Sequence, residues 1–438
     1  MKLSRYVRCF TYGEDVLLYN TVDHGIIQLP ASVMTSNEIR NDLDSESITA
    51  LRDMGYLSDT DLAIQEKLSS YLINTEKLFI SVELNLSCNL RCPYCYQAGK
   101  QDGKCIKPED LDALAEYVNK VYNTSHFKDL YIKILGGEPT LVWDRFLYIH
   151  NRIADICEKK KIKYHLLIDT NGTIIDGILS LSQYDSLLLT IPLTYRDCHD
   201  KVRYDAKGNG TYDKIINNVA VIHRKKPEAK IVLRYNVDQE NKPFFGLFLH
   251  DIRAKLDFEP LVSVNYTAEL NEIESYKNPL SYRDFVDWSS TTAIDCFIEA
   301  RMPITISPII SIEECQFRSR FSLKLFSDGT VGSCAMDFFR KNRTSIVDLV
   351  NHFDKGCDFT KQKEKQTIII NKECMECDSV FLCGGTNKLP CITSLDKNLC
   401  RDKKFGVNLC EFIKRYVNSQ SLGLDDLFVV FQQGESYR

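Results

Sequence analysis

Three cysteines within eight residues, Cys88-Asn-Leu-Arg-Cys92-Pro-Tyr94-Cys95, constrain this chain more than any other feature. They directly follow the apolar run LFISVEL, which reads as a strand over 78–84. Three thiolates on one short loop hold three corners of a metal site and leave the fourth to something else. A structural zinc needs four ligands, so it would take a distant fourth residue. A 4Fe–4S cluster held by three cysteines keeps one iron open to an outside ligand. The motif alone leaves both open.

The rest of the chain narrows the setting. It has 438 residues, enough for two or three domains. A net charge of −5 argues against general nucleic-acid binding. No apolar run has the length of a membrane span, and the first residues lack the apolar core of a signal peptide. These features read as a cytoplasmic protein, where 17 cysteines are better explained by metal than by disulfides.

Residues 1–77 read as short strands with turns at Gly13-Glu14-Asp15 and Asp23-His24-Gly25, then helix. Ser36 and Ser45 are candidate N-caps and Gly55 a candidate C-cap. Residues 78–240 alternate strand and helix. Strands are expected at 78–84, 130–136, 164–170, 187–193 and 230–236, with helices at 108–123, 145–161 and 211–226. Such βαβ alternation gives a parallel sheet with its chemistry at the C-terminal strand ends. Further helices are expected in FFGLFLHDIRAKL, in SYRDFVDWSSTTAIDCFIEA and in NLCEFIKRYVNS.

The sequence CNLRCPYC resembles the cluster motif of the radical S-adenosylmethionine superfamily, and Tyr94 before the third cysteine sharpens the likeness. The resemblance implies a partial (β/α)6 barrel over 78–300. It also implies that Cys88, Cys92 and Cys95 hold a 4Fe–4S cluster whose open iron takes the amino and carboxylate groups of S-adenosylmethionine. Reductive cleavage then gives a 5′-deoxyadenosyl radical that removes a hydrogen from substrate. ILGGEPTL resembles the family's cofactor motif, with Gly136, Gly137, Glu138 and Pro139. The glycines would leave backbone open to a ligand and Glu138 would accept from the ammonium. Thr170 and Asn171 resemble its TNG element. Arg203, in CHDKVRYDAKGNGTY, is the candidate for the cofactor carboxylate, and Arg234 ends another strand nearby; a buried ion pair is its plainer reading. The family often carries Ser-x-Asp-Gly where this chain has Thr190-Ile-Pro192-Leu193, so any contact made by that aspartate is in doubt.

A second cysteine field resembles the SPASM domain of peptide-modifying radical enzymes. It comprises Cys315, Cys334, Cys374, Cys377, Cys383, Cys391, Cys400 and Cys410. Spacing alone allows two 4Fe–4S clusters or two zinc sites. The C-x3-C step of the SPASM pattern fails at Asn387, and Cys391 is the nearest substitute. The likeness implies that Cys315 and Cys334, with Cys391 possible, hold an inner auxiliary cluster. Cys374, Cys377 and Cys383 would hold an outer one, closed by Cys400 or Cys410. That gives three 4Fe–4S clusters in all, with residues 301–438 as the auxiliary-cluster domain.

Residues 1–77 resemble a RiPP recognition element, a winged-helix-like α+β module that binds a leader peptide as an added strand. The expected activity is cross-linking of a precursor peptide, through a C–C cyclophane-type bond or a Cys thioether. A low-potential flavodoxin or ferredoxin would supply electrons. Formylglycine formation on a sulfatase is the enzymatic alternative, and a zinc-binding scaffold the non-enzymatic one.

Overall fold

The structure is a computed structural model describing residues 1–40, 43–64, 66, 76–95, 97, 103–267, 276, 278–305, 321–332, 343–355, 377–378, 380 and 401–421. Contacts divide the chain into two compact units. One comprises residues 1–74, 307–315 and 367–438, the other 75–306 and 316–366.

In the first unit, β1 (Val7–Tyr12), β2 (Asp15–Asn20) and β3 (Ile26–Pro30) form an antiparallel sheet in that order. Gly13 takes φ +60° in the β1–β2 turn, a conformation glycine adopts without steric cost. A two-stranded ribbon follows, β4 (Met34–Thr35) with β5 (Glu38–Ile39), then α1 (Ser45–Asp53). Ser36 lies in the ribbon turn rather than at a helix start. Asp44, not Ser45, caps α1: its carboxylate accepts from Ser47 N at 2.8 Å, within reach of the orphan first-turn donors. Val7, Leu18, Ile39, Leu51 and Tyr56 share the core of this module. Arg8 on β1 reaches Asp378, donating to its carbonyl at 3.3 Å.

The second unit is built on β6 (Lys77–Glu83), β7 (Asp129–Leu135), β8 (Lys163–Asp169), β9 (Ser186–Pro192), β10 (Lys230–Val237) and β11 (Leu261–Tyr266), all parallel and in that spatial order. The crossovers carry α2 (Pro108–Ser125), α3 (Trp143–Lys160), α4 (Asp176–Ser180), α5 (Arg196–Val202), α6 (Tyr212–Lys225) and α7 (Phe245–Lys255). The expected strands fall within about one residue of these bounds. The long helix expected over 281–300 is two, α8 (Tyr282–Ser289) and α9 (Thr292–Ala300), because Ser290 and Thr291 stop the first and begin the second. The second half of the sheet continues past β6 through β12 (Leu323–Leu325), parallel to β6. Then come β13 (Thr330–Gly332) and β14 (Thr344–Ser345), both antiparallel. After β14, α10 spans Ile346–Asn351. In the first unit, α11 spans Arg401–Ser421.

Alternation sorts the strand side chains. Ile80, Val82, Ile132, Ile134, Leu166, Ile168, Leu189, Ile191 and Leu233 are all fully buried on one face. Each contributes roughly 1.5–3 kcal/mol by leaving water. The other face is mixed: Ser81, Glu83, Lys133, Asp169, Thr190, Arg234, Asn236 and Lys324 alternate there with Leu135, Leu167, Leu188 and Val232. At its N-terminal end Phe79, Tyr131 and His165 stack in a ladder, with centroids 4.4 and 4.3 Å apart. Charged side chains set on a sheet face above an aromatic ladder suit an active site rather than a packed core.

Candidate active site

Three loops at the C-terminal ends of β6, β7 and β8 interlock. The cysteine loop leaves β6 through Asn85, which is fully buried and donates to Ser87 O and Glu138 O, both at 3.2 Å. Gly136 and Gly137 face this segment. A Cβ on Gly137 would stand 2.2 Å from Ser87 O, so the glycines let two backbones meet.

Glu138 is fully buried. Its carboxylate accepts from Thr140 N at 3.1 Å, Thr140 Oγ1 at 2.7 Å, Thr170 Oγ1 at 2.8 Å and Asn171 N at 2.6 Å. It ties the β7 loop to the β8 loop. Burial raises this carboxyl above its ordinary range, opposed by those four donors. Pro139 opens the short 3-10 turn that places Thr140.

Asn171, placed by Glu138, donates through its amide to Asn89 Oδ1 at 2.7 Å and lies 3.8 Å from Cys88 Sγ. Leu90 N donates to the same sulfur at 3.4 Å. Arg203 comes from the far side, 4 % exposed, with Nη1 3.9 Å from Cys92 Sγ and 3.3 Å from Tyr94 OH.

The CHDKVR stretch folds to present that arginine. Thr194 N donates to His199 Nδ1, so His199 Nε2–H faces Thr211 Oγ1 at 3.1 Å, and Thr211 donates to Arg203 O at 2.8 Å. Asp200 accepts from Thr211 N and Tyr212 N at the start of α6. Gly210 is obligatory because a Cβ there would meet the Asp200 side chain at 2.2 Å.

Burial, then the Arg203 charge, holds His199 well below the ordinary histidine value of 6.5. Between the folded and unfolded values the unfolded chain binds a proton that the folded chain refuses. The neutral ring's contribution is therefore whole above about pH 6.5 and falls as pH drops below it. His199→Gln is expected to lose stability at pH 7.5 yet show a shallower further loss by pH 5.5 than the parent, read from denaturant midpoints. Parallel slopes would show that His199 does not titrate between the two states.

The residues fit an iron–sulfur cluster with a bound amino acid. Burial pushes the Cys95 thiol up to about 11 and raises Cys88, so ionising them needs a strong local charge, which a metal supplies. Among the described residues no three His, Cys, Asp or Glu converge on a single ion. A cubane differs from a lone zinc here, because each thiolate takes a different iron. Arg203 makes no salt bridge among the described residues, and its Nε and Nη2 are buried without hydrogen-bond partners. A buried guanidinium in that state calls for an anion, which cluster thiolates and a cofactor carboxylate provide.

Of the other candidates, Thr170 points its hydroxyl at Glu138. Arg234 pairs with Asp169 at 3.2 Å, as its plainer reading has it. Cys377 and Cys410 are half-buried. Cys315, Cys334, Cys374, Cys383, Cys391 and Cys400 lie outside the described residues. Sequence reasoning missed Asn85, Asn89, Asp169 and Lys133. It also missed Glu83, which is 1 % exposed. Glu83 accepts from Gln97 Nε2 at 2.9 Å and Ser327 Oγ at 3.0 Å, and pairs with Lys324 at 3.5 Å. The one available signal was polar residues interrupting apolar strands.

Residues 82–241 match the family profile of the Radical SAM superfamily. Residues 82–241 are thus a radical S-adenosylmethionine domain and the chain is an enzyme; a domain of that class implies S-adenosylmethionine and a 4Fe–4S cluster. Among its sequence relatives is the cysteine-type anaerobic sulfatase-maturating enzyme of Clostridium novyi (strain NT), 26% identical over 219 residues. That match covers 46% of this chain and only 58% of the relative. The enzyme of the same name from Clostridium perfringens (strain 13 / Type A) is 24% identical over 329 residues, covering 68% of this chain and 85% of the relative. Two solved structures share the fold. Native anSMEcpe with bound AdoMet and Cp18Cys peptide superposes with a TM-score of 0.59 at 20% identity, over 80% of this chain and 99% of that one. Streptococcus suis SuiB bound to S-adenosylmethionine gives 0.50 at 15%, over 92% and 98%. No described helix is long and apolar enough to cross a membrane.

Proposed function

We propose that this chain modifies a ribosomally made precursor peptide, installing a side-chain cross-link, either a C–C cyclophane-type bond or a Cys thioether. The carrying observation is that a radical-enzyme site and a small β-sheet module occur in one chain. In that module β3 pairs on one side only among the described residues. A leader peptide would extend the sheet along β3 and hold the core peptide near the active site.

Cys88, Cys92 and Cys95 would hold the cluster, and Arg203 the cofactor carboxylate. Bound there, cluster and cofactor supply one-electron chemistry that removes a hydrogen atom from an unactivated carbon. The chain's own residues do the rest. Glu138 locks the β7 and β8 loops, Asn171 and Leu90 N direct hydrogen bonds at Cys88, and Tyr94 backs the guanidinium. The SPASM-like cysteines would hold two auxiliary clusters, Cys315 and Cys334 the inner with Cys391 as the candidate further ligand, and Cys374, Cys377 and Cys383 with Cys400 or Cys410 the outer. Flavodoxin or ferredoxin would be the electron donor, in the cytoplasm.

A second reading, oxidation of a sulfatase cysteine or serine to formylglycine, is favoured by the names of the sequence relatives. The test incubates anaerobically reconstituted protein, S-adenosylmethionine and dithionite with any short peptide encoded beside the gene, and separately with a sulfatase-derived cysteine peptide. A neighbouring-gene peptide lighter by two hydrogens supports cross-linking. An aldehyde on the sulfatase peptide alone replaces it with the second reading.

A further inference from the structure

Lys133, Asp169 and Arg234 project from β7, β8 and β10 onto the same inner face. Asp169 Oδ2 lies 2.9 Å from Lys133 Nζ and 3.2 Å from Arg234 Nη2. Thr190 and Pro192 of β9 are registered against Asp169 and Arg234 and carry no charge, so the pair closes across β9. Two cations thus share one carboxylate. Burial would raise the Asp169 carboxyl, but Lys133 and then Arg234 overcome that and hold it at about 2, so the triad keeps a net positive charge.

Nothing described on that face offsets the surplus. Glu83 and Lys324 pair with each other. Two groups are also idle: Arg234 Nε and Asp169 Oδ1 are buried without hydrogen-bond partners. The Lys133 side chain stays 35 % exposed, so its remaining N–H donors are reachable. A surplus cation with unused donors on a half-buried wall is stabilised by an incoming anion. The idle Asp169 oxygen is free to accept an N–H from the same incoming group.

We propose that Lys133 and Arg234 form a binding site for a carboxylate of the substrate peptide, an aspartate or glutamate side chain, whose own backbone N–H is taken by Asp169. This rests on the peptide-modifying reading and adds to it an acidic residue beside the site of modification. The cofactor's carboxylate has its own cation in Arg203, at the cysteine loop, which leaves the triad to the substrate.

The test uses reconstituted full-length protein loaded with S-adenosylmethionine. The probes are the N-acetyl methylamides of aspartate and glutamate against those of asparagine and glutamine, titrated by saturation-transfer NMR. The acidic probes are expected to bind about tenfold tighter or more than their amides. Lys133→Met and Arg234→Gln should erase that preference, and Arg234→Lys, which keeps the charge, should retain part of it. S-adenosylmethionine affinity, by equilibrium dialysis, should be unchanged in Lys133→Met. Equal binding of acid and amide by the parent overturns the site, and if 5′-deoxyadenosine still forms, the radical chemistry stands without it. A matching fall in S-adenosylmethionine affinity in Lys133→Met also overturns it, by giving the triad to the cofactor.

Discussion

Replacing Cys88, Cys92 and Cys95 together by Ala is expected to remove about four irons per reconstituted chain and abolish reductive cleavage of S-adenosylmethionine. The loss should be confined to the site. The three thiols are half-buried, and the loop is fixed by Asn85, Gly137 and Asn89, none of which depends on sulfur. Circular dichroism and the unfolding midpoint of the metal-free protein should therefore change little. Iron determination gives the deciding number. A parent that falls from about twelve irons to about eight carries three cubanes, whereas one that falls from about four to none has no auxiliary clusters. No fall at all would remove these cysteines from the metal site.

Breaking the Glu83–Lys324 pair should have the largest effect on stability. Both side chains are 1 % exposed. Lys324→Met strips a buried carboxylate of its cation and is expected to cost about 3–5 kcal/mol. The double variant Glu83→Leu/Lys324→Met removes both charges and should recover most of that loss. It should not recover cluster loading, because the Gln97 amide beyond Cys95 loses the oxygen that anchors it. Chemical denaturation and iron content, measured on the same three proteins, separate the two roles. A double variant with full stability and full iron would show that the Gln97 link does not hold the loop.

Much of the scaffold was legible because strand and helix periods differ. Runs such as YHLLIDT, with amphipathic helices between them, place β6 to β10 nearly to the residue. The elements missed are those whose signal is short or mixed. Strand β11 alternates Val262 and Val264 with Ser263 and Asn265, and β12 has only three residues. At the site, the loop motifs were readable but their purpose was not. Glu138 finds Thr170 and Asn171 more than thirty residues on, and Asp169 joins Lys133 and Arg234 across strands. Such pairings follow from register, which no local window contains. The glycines of GGEP likewise read as exposed backbone until Ser87 is seen against them.

The placement of β12 beside β6 also sets an order of events in time. Ser327 and Glu83 are 244 residues apart in the chain yet share a hydrogen bond. A nascent chain that has not yet reached residue 323 carries the whole cysteine loop, but neither the strand that flanks it nor the cation that neutralises its base. Closing so long a loop is slow compared with forming the βαβ units before it. The base of the cysteine loop is thus made early but completes its packing only when β12 arrives, after most of the parallel sheet has formed.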